Sequence, residues 1–92
     1  MDSVEHHASA NQFEIRSDAG TALLRYALRD GAIDLLHTKV PSACEGRGYG
    51  AALVRAALDY ARAEKLRVIP SCPFVRSFVT RHQEYADLLA KA

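Results

Sequence analysis

Three glycines at alternate positions, Gly46, Gly48 and Gly50, run straight into an alanine- and leucine-rich stretch that begins at Ala51. No other feature limits the fold of this chain so sharply. Glycines at that density end a strand, because they offer no side chains to pack and favour backbone angles a ladder does not use. Behind them, Leu53, Ala57, Tyr60 and Ala61, with Val54 and Leu58 beside them, recur at helical spacing, while Arg55, Asp59, Arg62 and Lys65 mark a wet side. This predicts an amphipathic helix over residues 48–64. "LRVIP" (Leu66 to Pro70) then reads as a short apolar strand. Being reached through a helix, it is expected to lie parallel to the strand before the loop, in a right-handed crossover.

Upstream the signals are those of antiparallel strands. "FEIR" (13–16) alternates apolar and polar residues, "SDAG" supplies turn chemistry, and "TALLRYAL" (21–28) is a second strand. Asp30-Gly31 between two apolar runs is a hairpin signal, and a third strand, Ala32 to Val40, follows it. That strand carries Ile33 and Leu35 on one side and Leu36 and Val40 on the other, so it is expected to be covered on both faces, with Pro41 ending it. After Pro70, "CPFVRSFVTRH" and "EYADLLAKA" read as two short helical pieces, Pro73 standing where a first turn needs no amide. Residues 1–11 are polar, include His6 and His7, and are expected to be a flexible tail ahead of a single domain over 12–92. The expected fold class is α+β: an antiparallel β-meander, a β-α-β unit, then C-terminal helices.

Composition narrows the functional classes. A chain of 92 residues has room for one modest core. Its 12 basic and 11 acidic side chains give a formal net charge of +1, which is not the footprint of a nucleic-acid binder. No apolar run is long enough to span a bilayer, and "MDSVEHHASANQ" is acidic and polar where a signal peptide would be basic and then apolar. The expectation is a cytoplasmic protein, a monomer or small homo-oligomer, with no nucleic-acid or membrane partner. Its two cysteines, Cys44 and Cys72, are then reduced thiols.

The glycine loop excludes two nucleotide motifs. A Walker loop needs lysine and then serine or threonine after its last glycine, and here Ala51-Ala52 follow Gly50. The dinucleotide pattern G-x-G-x-x-G fails because the glycines stand at 46, 48 and 50. What remains is a loop of backbone amides at a helix start, suited to an anion such as a pyrophosphate, or a plain tight turn. Two parallel strands ending at Val40 and Pro70 bring His37, Thr38, Cys44 and Cys72 to the same edge, where open sheets bind ligands. His37, Cys44, Cys72 and His82 lack the short paired spacings of structural zinc, so no metal is expected.

The stretch "HTKVPSACEGRGYGAALVRAALDYARAEKLRVIPSCPFVRSFVTRHQEY" resembles the minimal single-domain branch of the GNAT N-acetyltransferase superfamily. Its members carry an "HT-V-P" strand, a "G-G-G" loop into an alanine-rich helix, then "IP-CPFV" and "RH-EY". The resemblance covers roughly residues 13–89. It implies acetyl-CoA (coenzyme A) binding and transfer of an acetyl group to an amine, which in so short a chain could belong to a protein or peptide lying across an open groove. It places the pyrophosphate on the amides of Gly46, Arg47, Gly48, Tyr49, Gly50 and Ala51. The pantetheine arm would run between the splayed strands beside Thr38, Lys39 and Val40 and the helix start at Cys72, Pro73 and Phe74. Arg47, Arg76 and Arg81 would rim the coenzyme mouth, with His82 and Tyr85 nearby. Loops of the superfamily usually begin with glutamine or arginine, whereas Glu45 stands here; the branch also often has proline where Gln83 stands.

Cys72 follows a strand and opens a helix, a setting that lowers a thiol's pKa, so it is a candidate acetyl acceptor that passes the group on; alternatively it sits beside a direct transfer, with His37 as the base that takes the amine's proton. The competing reading makes Cys72 a small buried hydrophobe and His37 an inward strand histidine. A rival function is a module that holds acyl-CoA or a protein partner without turnover.

Overall fold

The structure, a computed structural model, describes residues 3–90. Five strands form one sheet in sequence order: β1 (Glu5–His7), β2 (Gln12–Ser17), β3 (Gly20–Arg29), β4 (Ala32–Lys39) and β5 (Arg67–Ile69). The first three pairings are antiparallel and β4 with β5 is parallel. Helix α1 (Tyr49–Ala63) joins β4 to β5, and α2 (Pro73–Arg81) follows β5, trailed by a 3-10 run over Gln83–Leu88.

Local chemistry accounts for the connections. At the β3–β4 hairpin both Asp30 (φ 48°) and Gly31 (φ 76°) take positive φ, the conformation whose twist matches that of paired strands. Helix α1 ends with Lys65 left-handed at φ 57°. There the Leu66 N–H bonds the Ala61 carbonyl at 2.8 Å and the Lys65 N–H bonds that of Arg62 at 3.2 Å. That paired closure turns the chain sharply into β5. The outer edge of β5 is covered by the C-terminal segment: Leu89 bridges Val68, and the Ala90 N–H bonds the Val68 carbonyl at 2.8 Å. An edge that would otherwise invite another strand is thereby closed.

The core lies on one side of the sheet. Phe13, Ile15, Leu24, Tyr26, Ile33 and Leu35 meet the apolar stripe of α1, Leu53, Val54, Ala57, Leu58 and Ala61, while Val75, Phe78 and Val79 of α2 close the end. Each large aliphatic or aromatic chain removed from water there contributes on the order of 1.5–3 kcal/mol. The expectation that β4 is covered on both faces is corrected: Leu36 is 41% exposed, and His37 and Lys39 are exposed as well. The reason is a β-bulge. Arg25 pairs with His37 but Tyr26 pairs with Leu35, so Leu36 is an extra residue on β4 with no partner across the ladder.

The expected N-terminal tail contributes an edge strand instead. Its His6 ring stacks on Phe13 with centroids 4.2 Å apart and shares a 2.6 Å hydrogen bond with the Tyr26 hydroxyl. His7 pairs with Glu5 at 3.0 Å. A strand too short to show periodicity is held by contacts with Phe13 on the neighbouring strand and with Tyr26, twenty positions away.

Candidate active site

The ladder between β4 and β5 lasts three residue pairs, ending at Asp34 with Ile69, although β4 runs on to Lys39. Pro70 has no N–H to extend it. The Ser71 N–H folds back to the Ile69 carbonyl at 3.1 Å, the Cys72 N–H reaches across to the Leu35 carbonyl at 2.9 Å, and Pro73 starts α2. The two strands thus part in a fork, with the remainder of β4 as one arm and the start of α2 as the other.

Cys72 and Thr38 meet inside this fork. The Thr38 hydroxyl lies 3.5 Å from Cys72 Sγ. Cys72 is only 5% exposed. Burial alone would push its thiol pKa up, but the Thr38 hydroxyl and the amides of Val75, Phe74 and Thr38 facing the sulfur outweigh that and hold it below the ordinary thiol value. The helix-start amides do so without completing a capping hydrogen bond. His37, the expected base, pairs in register with Arg25 on the exposed face of β4, whereas Thr38 pairs with the buried Leu24. Thr38 is therefore the β4 side chain that reaches the sulfur, and His37 looks out from the opposite face.

The glycine loop lies beside the fork. After Pro41, a 3-10 turn (Ser42–Cys44) leads through extended Glu45 to Gly46 at φ 86° and Gly48 at φ 78°, the residue that precedes α1. These two glycines are required by the backbone. Gly50 is limited by space instead: a Cβ there would lie 2.9 Å from the far end of the Phe74 ring, which would have to move aside. Val40, Cys44, Glu45, Gly46, Gly48, Tyr49, Gly50, Ala51 and Phe74 line a cleft of about 460 Å3 at this helix start. Helix α1 has no acidic residue in its first turn and no side-chain cap, so the partial positive charge of its N-terminus is not offset from within that turn. The carboxylate on the lining is Glu45.

Other expected residues are placed differently. The Arg47 guanidinium bonds Asp18 of the β2–β3 turn at 2.9 Å and the Tyr49 hydroxyl at 3.4 Å, and both interactions hold its pKa above the usual arginine value. Arg76, Arg81 and His82 do not line the cleft. Arg76 instead lines a separate cavity of about 290 Å3 beyond α2, with Pro70, Val79, Thr80, Gln83, Ala86 and Leu89. Arg81 Nε bonds the Ser77 carbonyl at 3.4 Å. His82, at the far end of α2, stacks on Phe78 with centroids 3.9 Å apart, and its Nδ1–H donates to the Phe78 carbonyl at 2.8 Å. Gln83, in the position where proline is common, donates to the Thr80 carbonyl at 2.8 Å and so satisfies an α2 end that proline would leave open. Tyr85 is buried with its hydroxyl 3.5 Å from Asp59. Among the described residues, one group of side chains has metal-ligand atoms within 4.8 Å of one another, Glu5, His7 and Glu14; His37, Cys44, Cys72 and His82 form no such group.

Sequence reasoning missed Asp34, Ser71 and Asp18. Asp34 left a signal, a lone carboxylate inside the apolar run "AIDLL", and it is 2% exposed. The other two left none.

Comparison with known proteins agrees with this geometry. The sequence model of the family described as GCN5-related N-acetyl-transferase matches residues 12–88. Protein NATD1 of Bos taurus is 38% identical over 80 residues, 83% of this chain and 70% of that protein. Protein NATD1 of Danio rerio is 33% identical over 90 residues, 91% and 81% respectively. The solution structure of a GCN5-like protein from Staphylococcus aureus superimposes with a TM-score of 0.76 at 27% identity, covering 97% of this chain and 88% of that one. The forked sheet, the glycine loop at a helix start and these likenesses lead to one conclusion: the chain belongs to the GCN5-related N-acetyltransferase family.

Proposed function

We propose that this protein binds acetyl-CoA along the cleft at the start of α1 and transfers its acetyl group to an amine by way of Cys72. The observation that carries the reading is the approach of Thr38 and Cys72, 3.5 Å apart, inside the fork beside that cleft. The residues present suit the co-substrate. The Gly50 and Ala51 amides, in the first turn of α1, have no intrahelical acceptors, and a pyrophosphate would supply them. Val40 at the end of β4 and Phe74 in α2, one from each arm of the fork, line the cleft and would flank the pantetheine arm.

The chemistry runs in two balanced steps. Cys72 Sγ, as thiolate, attacks the thioester carbonyl carbon, the bond from that carbon to the coenzyme sulfur breaks, and the departing sulfur takes up the proton that Cys72 lost. The acceptor amine then attacks the acetyl-cysteine carbonyl, the carbon–sulfur bond to Cys72 breaks, and the amine's proton leaves to a base. His37, on the face of β4 opposite the sulfur, is not within direct reach of that proton, so solvent beside the amine is the base. The backbone of β4 near Val40, beyond the last pair with β5, holds the oxyanion.

Incubation with acetyl-CoA followed by intact-mass measurement tests the proposal. An acetyl-sized gain that disappears in Cys72→Ala is the expected result. Amine acetylation that persists in Cys72→Ala would replace the relay with direct transfer. Coenzyme binding without acetylation of the protein or of any amine offered would make the chain a binding module.

A further inference from the structure

We infer that Asp34 and Ser71 form a pin that sets the β4–β5 fork and so places Cys72 against Thr38, which makes them positioning residues for the transfer; that last step rests on the function proposed above. Asp34 is the buried charged side chain among the described residues and lies in β4 between Ile33 and Leu35. A carboxylate taken out of water is costly unless its oxygens are bonded. Both are. The Ser71 hydroxyl donates to Oδ1 at 2.5 Å, and the Arg29 guanidinium donates to Oδ2.

The position of the pin gives it leverage. Asp34 and Ile69 are the last paired residues of the two strands, and Ser71 is reached one residue after Pro70 breaks the ladder. Ser71 is exposed, so its side chain has little packing to do beyond this bond. The Pro70–Ser71 turn is held by the Ser71 N–H to Ile69, by the Cys72 N–H to Leu35, and by the side-chain bond to Asp34. Only the last ties the turn to a side chain of β4. Removing it strands one buried carboxylate oxygen and lets the turn shift, and Cys72 is the next residue. Around the sulfur stand the Thr38 hydroxyl from β4 and the first-turn amides of α2, so a shift of the turn changes both contacts together. If Asp34 served only to tie the β3–β4 hairpin through Arg29, the state of Ser71 would not matter to the thiol.

The test uses the full chain without coenzyme. Ser71→Ala and Ser71→Val lack the hydroxyl, and Ser71→Thr restores it with the same branching as valine. Alkylation by iodoacetamide is followed across pH, the label is assigned to Cys72 by peptide mass, and thermal melting confirms that each variant is folded. The expected result is a several-fold change in the Cys72 alkylation rate at neutral pH and an upward move of its pH midpoint in the alanine and valine variants, with threonine returning both to the unmodified profile. In acetylation assays, Ser71→Ala is expected to lower kcat several-fold while KM for acetyl-CoA changes less, because the glycine loop is untouched. Superimposable alkylation profiles for serine, alanine and valine would overturn the pin. That outcome is separate from a failure of the proposed function, since the alkylation arm needs neither coenzyme nor turnover.

Discussion

Thr38 Oγ1 on β4 and Cys72 Sγ at the head of α2 stand 3.5 Å apart, at the point where two neighbouring strands have stopped pairing. The hydroxyl opposes the effect of burial on the thiol, and the net direction is downward. Thr38→Val keeps the shape and removes the donor. It is expected to move the pH midpoint of Cys72 alkylation up, towards the ordinary thiol range. A neutral hydrogen bond contributes about 0.5–1.5 kcal/mol, which corresponds to a loss of roughly two- to ten-fold in acetyl-transfer rate.

The glycines of the loop are expected to fail in different ways. Gly48 has open space around a would-be Cβ but sits at φ 78°, so Gly48→Ala pays only conformational strain, about 1–2 kcal/mol by urea denaturation, with Gly48→Asn less affected. Gly50 is helical and faces the Phe74 ring at 2.9 Å from a would-be Cβ. Because Phe74 is 40% exposed, its ring is free to move aside, so Gly50→Ala changes stability little while it redraws the cleft and raises KM for acetyl-CoA. Removing the ring as well, in Gly50→Ala/Phe74→Ala, restores part of the affinity.

Arg47 is held by Asp18, 2.9 Å away across an exposed pair, and by the hydroxyl of Tyr49, a residue that lines the cleft. A phosphate oxygen competes with Asp18 for the same guanidinium. Asp18→Asn is expected to lower KM for acetyl-CoA several-fold and Arg47→Ala to raise it, with melting temperature unchanged in both, since exposed pairs add little to folding. Equal KM values across the three proteins would remove Arg47 from the coenzyme site.

The N-terminal strand carries a pH dependence. Burial first, and the neighbouring His7 second, hold the His6 pKa below its ordinary 6.5 in the folded state. The unfolded chain takes up that proton more readily, so stability is full above pH 6.5, falls as pH drops below it, and levels out once the folded-state pKa is passed. Urea midpoints measured from pH 7.5 to 5 are expected to fall with acidification. His6→Phe, which keeps the stack on Phe13, flattens that fall.

Much of this fold is written in local patterns. The Asp30-Gly31 turn, the α1 stripe and Pro73 at the head of α2 depend on dihedral preferences and on periodicity within a few residues, and each stands where the sequence places it. The glycine loop was legible as a loop leading into a helix start for the same reason. What no local pattern carries is which distant groups meet. β1 exists because Phe13 and Tyr26 wait for His6, and its three residues are too few to show a period.

The site divides in the same way. Cys72 at a helix start and Gly46, Gly48 and Gly50 before another follow from the sequence by itself, because a residue's place relative to a helix end sets its backbone and its electrostatics. The bulge at Leu36 follows only from the tertiary structure: one extra residue against β3 turns His37 outward and Thr38 inward to the sulfur. Register is a property of two strands, and the end of the β4–β5 ladder at Asp34 and Ile69, with Ser71 bonded back to Asp34, is decided where they pack. Composition and spacing named the thiol; long-range pairing chose its partner.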